Sequence, residues 1–235
     1  MSRVAIVCLA AIVILVDAAP APAAILQHVA YYPDSLPSEQ GWVYRGDLEE
    51  AAYASLGDGV LVLDSMPNDP GYSGTGYYTR ELEDHPDARF LSWNIRARVL
   101  EQENENWPWH DGFGTMGFYW PGVFYYGTMF GIAQAHVWVT GDAVADMDGA
   151  QWCDYAFVID LDDVAAGVAL SIDGVMKGSF LTNDPLVRGA MVRVGDMSDD
   201  SNARVEISSI DIFVSSDAPA PTEAATFSDI RELFR

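Results

Sequence analysis

The stretch from Asn106 to Gly131, NWPWHDGFGTMGFYWPGVFYYGTMFG, crowds aromatic side chains among glycines. Aromatic rings offer flat apolar faces, and sugar rings have apolar faces edged by hydroxyls. A surface of such rings with a few polar neighbours is therefore a platform for a glycan. Trp107, Trp109, Tyr125 and Tyr126 flank turns, so these rings are expected to stay exposed, with His110 and Asp111 as hydrogen-bonding partners. The competing use of aromatic rings is to fill a core, and most of the other rings in the segment are expected to do that.

Two acidic turns could hold a cation. One contains Asp64, Asn68 and Asp69; the other contains Asp196, Asp199, Asp200 and Asn202. Calcium takes about six to eight oxygens from carboxylates and carbonyls in loops. Asp196, Asp199 and Asp200 are the candidate ligands for a structural calcium. Asp and Asn are also favoured in turns for their own backbone hydrogen bonds, which is the competing account. The histidines, His28, His85, His110 and His136, show no paired-ligand spacing, and His136 reads as a strand-face residue. No nucleophile elbow, phosphate loop or cysteine-based site is present.

The elements that must position these residues are strands. FLSWNIRARVL (Phe90 to Leu100) alternates Leu91, Trp93, Ile95, Ala97 and Val99 against Ser92, Asn94, Arg96 and Arg98, a period of two. Further strands are expected at 60–63, 117–120, 135–139, 155–161, 191–194 and 205–214. Asp173-Gly174 between two β-rich runs predicts a two-residue hairpin turn, because both positions need positive φ. Many short strands separated by Gly, Pro, Asn and Asp turns mean a sandwich or a barrel.

The 235 residues suit one domain of the larger all-β kind. With 35 acids against 12 bases the formal net charge is −23, which repels nucleic-acid phosphates and anionic lipids. A solvated surface, adaptation to high salt and affinity for cations are three open accounts of that acidity. Residues 1–24 read as a signal peptide: Arg3, an apolar run from Val4 to Val16, then small residues. The run is short for a bilayer span, so no stable membrane insertion is expected after its removal. Cys8 lies in this run, which leaves Cys153 alone in the mature chain and rules out an intrachain disulfide there. Residues 216–235 form a Pro/Ala-rich linker and TFSDIRELFR, whose Phe227, Ile230, Leu233 and Phe234 recur at helical spacing. A short amphipathic C-terminal helix is expected there. It would dock on the domain, on a partner or on a sorting machine, or fray.

The order of segments across 25–215 resembles the concanavalin A-like superfamily, especially laminin G-like modules of bacterial extracellular proteins. The resemblance rests on LPSEQGWVYRG (Leu36 to Gly46), GYYTR (Gly76 to Arg80) before the FLSWNIRARVL strand, QWCDYAFVIDLDDVAAGVALSIDGVMKGSF (Gln151 to Phe180), and the closing MVRVGDMSDDSNARVEISSIDIFV (Met191 to Val214). It implies an all-β, two-sheet antiparallel jelly-roll sandwich whose ligands sit on a concave face or its rim. Family 16 glycoside hydrolases of this superfamily carry spaced acids on an inner strand, one acting as nucleophile and one as acid/base. The nearest string here is Glu101, Glu103 and Glu105, with Glu in the middle position and a loop-like sequence after it. The position that often supplies a calcium-binding Asp in those relatives is Ser208 here. The implied function is a secreted or cell-surface, non-catalytic module that binds carbohydrate or a surface polymer. The alternatives are a structural or adhesive protein and, third, a hydrolase using the Glu101 series.

Overall fold

A computed structural model describes residues 24–66, 76–103, 113–119, 126–139, 142–163, 168–180, 190–196 and 202–217. The segment expected to be a signal peptide (1–24) falls outside these residues apart from its last position, and the segment expected to form a C-terminal helix falls outside them from residue 218 on.

Fifteen strands are described. They are β1 (Ile25–Tyr31), β2 (Val43–Gly46), β3 (Ala54–Gly57), β4 (Val60–Asp64), β5 (Gly76–Glu81), β6 (Phe90–Gln102), β7 (Phe113–Tyr119), β8 (Tyr126–Ile132), β9 (His136–Val139), β10 (Asp142–Asp146), β11 (Cys153–Asp160), β12 (Val168–Ile172), β13 (Val175–Phe180), β14 (Met191–Asp196) and β15 (Ala203–Ser215). A 3-10 turn at Pro37–Gln40 and one helical turn, α1 (Glu50–Tyr53), interrupt them.

The strands form two antiparallel sheets. The first runs β13-β12-β11-β6-β15-β4-β3, with β1 also pairing β15; the second runs β10-β9-β8-β7-β14-β5-β2. The fold is therefore the two-sheet sandwich that the sequence resemblance implies, with the long strands β6 and β15 at the centre of the first sheet.

Alternation decides what each strand buries. Leu91, Trp93, Ile95, Ala97 and Val99 are fully buried, as their period of two demands. They meet Phe113, Phe130, Val137, Val192 and Val194 from the facing sheet. Trp93 is the junction. Its ring stacks on Phe157 at 5.1 Å and its indole N–H donates to Thr115 Oγ1 at 3.0 Å. The Thr115 hydroxyl in turn donates to the Arg193 carbonyl at 3.3 Å. A buried indole donor left unpaired would cost about 1–3 kcal/mol, so this bond helps fix how the two sheets dock. Gly117 makes room for the ring: a Cβ there would stand 2.5 Å from Trp93 Cζ3.

The expected Asp173-Gly174 turn is present, with φ of +50° and +74°, and Asp173 Oδ1 also accepts the Asp154 N–H at 2.9 Å. An equivalent pair, Asp58-Gly59, closes the β3–β4 hairpin with φ of +51° and +74°. Cys153 is buried and free.

Candidate functional site

The inner face of the second sheet is core, so its outer face is where a ligand could meet ordered strands. Register places one residue from each strand in a row across that face. Trp138 of β9 pairs with Gly131 of β8, Gly131 with Gly114 of β7, Gly114 with Gly195 of β14, Gly195 with Tyr77 of β5, and Tyr77 with Arg45 of β2. Their chain neighbours Val137, Phe130, Ile132, Phe113, Thr115, Val194 and Tyr78 are buried, which sends this row outward. Three glycines in succession thus form a floor without side chains between two aromatic rings. Four strand spacings separate Trp138 from Tyr77, about 19 Å.

Each end of the row has polar company. At one end the Trp138 ring meets His136 edge-on at 5.3 Å between centroids. His136 lies two residues away on the same face, and its Nδ1 is 2.9 Å from Asp146 Oδ1. Asp146 is opposite His136 in the β9–β10 pairing and its side chain is 90% exposed. The carboxylate fixes the orientation of the imidazole, leaving Nε2 to exchange hydrogen bonds with a ligand. At the other end the Arg193 guanidinium lies over the Tyr77 ring at 5.5 Å. Thr79, between them on the same face, is buried and donates its hydroxyl to the Val43 carbonyl at 3.3 Å.

Gly195 also has a backbone reason to be glycine. Its φ is +143°, and a Cβ would come within 2.6 Å of Tyr77 Cα. That conformation is open to glycine at little cost and to other residues hardly at all.

Of the residues expected to bind a glycan, Trp107, Trp109, His110, Asp111 and Tyr125 lie outside the described residues. Tyr126 opens β8 opposite Tyr119. Phe113 and Phe130 of the same aromatic segment are core, the use expected for most of its rings. Trp138, Tyr77, Arg193 and the His136–Asp146 pair were not singled out as a site by sequence. The alternation of HVWV puts His136 and Trp138 on one face, but only strand pairing brings Asp146, Tyr77 and the glycines into line with them.

The Glu101 series belongs elsewhere. Glu101 is exposed at the end of β6, on the first sheet, opposite Arg204. Glu103 accepts a hydrogen bond from Asn202 Nδ2 at 3.3 Å, and Glu105 lies outside the described residues.

Asp196 is buried at the end of β14, and its backbone N–H donates to the Tyr53 hydroxyl at 3.0 Å. Burial first, then the nearby Asp196 and Asp64 charges, hold the Tyr53 hydroxyl well above its ordinary pKa. Asp199 and Asp200 lie outside the described residues. Asp64 accepts the Met66 N–H at 3.1 Å and faces Arg204 at 3.7 Å, which is turn chemistry. Ser208 sits at the β15 bulge between Ile207 and Ser209. Among the described residues no group of three or more His, Cys, Asp or Glu is placed to hold a metal ion. The described carboxylates therefore do not make up the oxygen set that calcium takes.

No protein-family model and no curated protein matches the sequence. Solved structures do. A sialidase superposes over 91% of this chain with a TM-score of 0.51 and 11% identity. This chain spans 21% of that protein, about a fifth of its length. A carbohydrate esterase from the Shiga toxin-encoding bacteriophage phi24B matches 79% of this chain and 97% of its own, with a TM-score of 0.49 and 18% identity. An endo-1,3-beta-glucanase from Streptomyces sioyaensis matches 85% of this chain and 100% of its own, with a TM-score of 0.47 and 14% identity. At these identities the sialidase likeness bears on fold alone. Fold and outer face together define a concanavalin A-like β-sandwich whose second sheet presents a glycine-floored row with an aromatic ring at each end.

Proposed function

We propose that this chain is a non-catalytic carbohydrate-binding module that works outside the cell. The observation that carries the reading is the row Trp138–Gly131–Gly114–Gly195–Tyr77. Rings at both ends offer stacking surfaces, and the half-buried Gly131 and Gly114 between them let a flat oligosaccharide approach the backbone, while Gly195 is buried. His136 at one end and Arg193 at the other are placed to meet sugar hydroxyls. Glu101 and Glu103, the described members of the Glu101 series, stand at the end of β6 on the other sheet, which supports binding over hydrolysis.

Titration calorimetry against a panel of soluble polysaccharides tests it. Trp138→Ala and Tyr77→Ala should each weaken binding about tenfold or more, as expected for a buried aromatic anchor. Retained affinity in both variants would remove this face from consideration. Lack of binding to every polysaccharide would end the carbohydrate reading.

A further inference from the structure

The row from Trp138 to Tyr77 has a direction, a length and a twist, and these limit the form of carbohydrate it can take. It crosses the strands from one edge of the second sheet to the other. Ala143 of β10 pairs with Trp138, Arg45 of β2 pairs with Tyr77, and β10 and β2 are the edge strands. The two rings are four strand spacings apart, about 19 Å, and the whole row covers six spacings, about 29 Å. An extended pyranose chain advances by about one strand spacing per sugar, so the rings stand about four sugars apart. Between them lie Gly131, Gly114 and Gly195, which have no side chain to grip a sugar. Contact is therefore concentrated at the two ends. The twist matters as much as the length. Adjacent strands are rotated by roughly 20°, so the side chains of Trp138 and Tyr77 leave the backbone in directions that differ by roughly 80°. Two rings so turned do not share a plane. A flat fibre surface, with its chains side by side in one plane, meets one ring and misses the other. A single chain follows the turn by rotating about its glycosidic bonds.

We infer that this face binds single, soluble polysaccharide chains at internal positions, about four or more sugars at a time, rather than chain ends or the flat surface of an insoluble fibre. The inference rests on the carbohydrate reading above and specifies the form of its ligand. Holding a chain end needs a wall across the path. Ala143 is too short to wall one end of the row, and at the other end Arg45 is exposed on its edge strand. Among the described residues no strand of this sheet lies beyond either of them. A longer polymer therefore continues past both ends of the row.

The test uses glucan, mannan and xylan, each as a ladder of short oligosaccharides, as a soluble polymer and as an insoluble fibre. For the backbone that binds, affinity should rise about tenfold or more between the trisaccharide and the hexasaccharide, where the second ring comes within reach. From there to the soluble polymer, the affinity per site should change less than about threefold. Trp138→Ala and Tyr77→Ala should each weaken hexasaccharide binding about tenfold, whereas the disaccharide should respond to at most one of them. A bulky fluorophore on the reducing end of the octasaccharide should leave its affinity within about twofold. Soluble polymer should strip the protein from the fibre. The ladder and the fibre competition need no substitution, so they give a readout even if a variant fails to fold. Disaccharide binding as tight as hexasaccharide binding, still sensitive to Trp138→Ala, would overturn the internal-chain assignment and leave the carbohydrate reading standing. So would a loss of affinity on end-labelling, or a preference for fibre over soluble polymer. Lack of binding to all of these and to the calorimetric panel would defeat both readings.

Discussion

Gly117→Ala should destabilise the sandwich more than any ordinary glycine-to-alanine change in a strand. The added Cβ would sit 2.5 Å from Trp93 Cζ3 and 2.9 Å from Cζ2. Trp93 has nowhere to go: it is fully buried, stacked on Phe157 at 5.1 Å and bonded to Thr115 Oγ1 at 3.0 Å. Overpacking of this kind costs roughly 1–3 kcal/mol. Tilting the ring to relieve it would weaken the indole bond, about 1 kcal/mol more. The sum is about 2–4 kcal/mol, a fall of roughly 5–15 °C in Tm for a chain of this size. Urea unfolding followed by tryptophan fluorescence measures it. Gly57→Ala is the control, since a Cβ there meets nothing within 4 Å, and it should stay within about 0.5 kcal/mol of wild type. Trp93→Phe removes the atoms that collide, so Gly117→Ala should cost less in that background, with a coupling above about 0.5 kcal/mol. A Gly117→Ala protein as stable as Gly57→Ala, or two costs that simply add, would refute the account of how Trp93 joins the sheets.

Alkaline stability follows from the buried tyrosines. Burial, then the charges of Glu50, Asp47 and Glu49, push Tyr44 up to about 12, and burial raises Tyr31, Tyr53, Tyr78 and Tyr155 as well. Unfolded tyrosine loses its proton near pH 10, so above that the unfolded state holds fewer protons than the native one. The contribution is complete below about pH 10 and is lost as pH climbs through the native values. Tyrosinate absorbance should therefore rise together with loss of the β-sheet circular dichroism signal; independent titration near pH 10 in an intact fold would contradict this. Burial, then the Asp173 charge, also raises the Cys153 thiol, so a thiol reagent should react with it far more slowly in native protein than in denaturant, and equal rates would place it at the surface. Gly174→Val, at φ of +74° in the β12–β13 turn, should cost about 1–2 kcal/mol in urea, whereas no loss would mean that the hairpin tolerates another turn type.

Sequence alone determined the layers. The two-residue alternation in FLSWNIRARVL fixed which side of β6 is core, because a strand sends successive side chains to opposite faces wherever it sits. Asp173-Gly174 fixed a turn, because positive φ is a local steric requirement. The order of such segments resembled a concanavalin A-like sandwich, and the two sheets match it. The site was a different matter. The aromatic segment drew attention to Trp107 and Trp109 by density alone, while the described row takes one residue from each strand and adjoins residues as far apart in the chain as Arg45 and Arg193. No spacing rule links those positions. Strand order and register do, and these depend on how both sheets pack through Trp93, Thr115 and Gly117. Only the tertiary structure could place Trp138, three glycines and Tyr77 in one line.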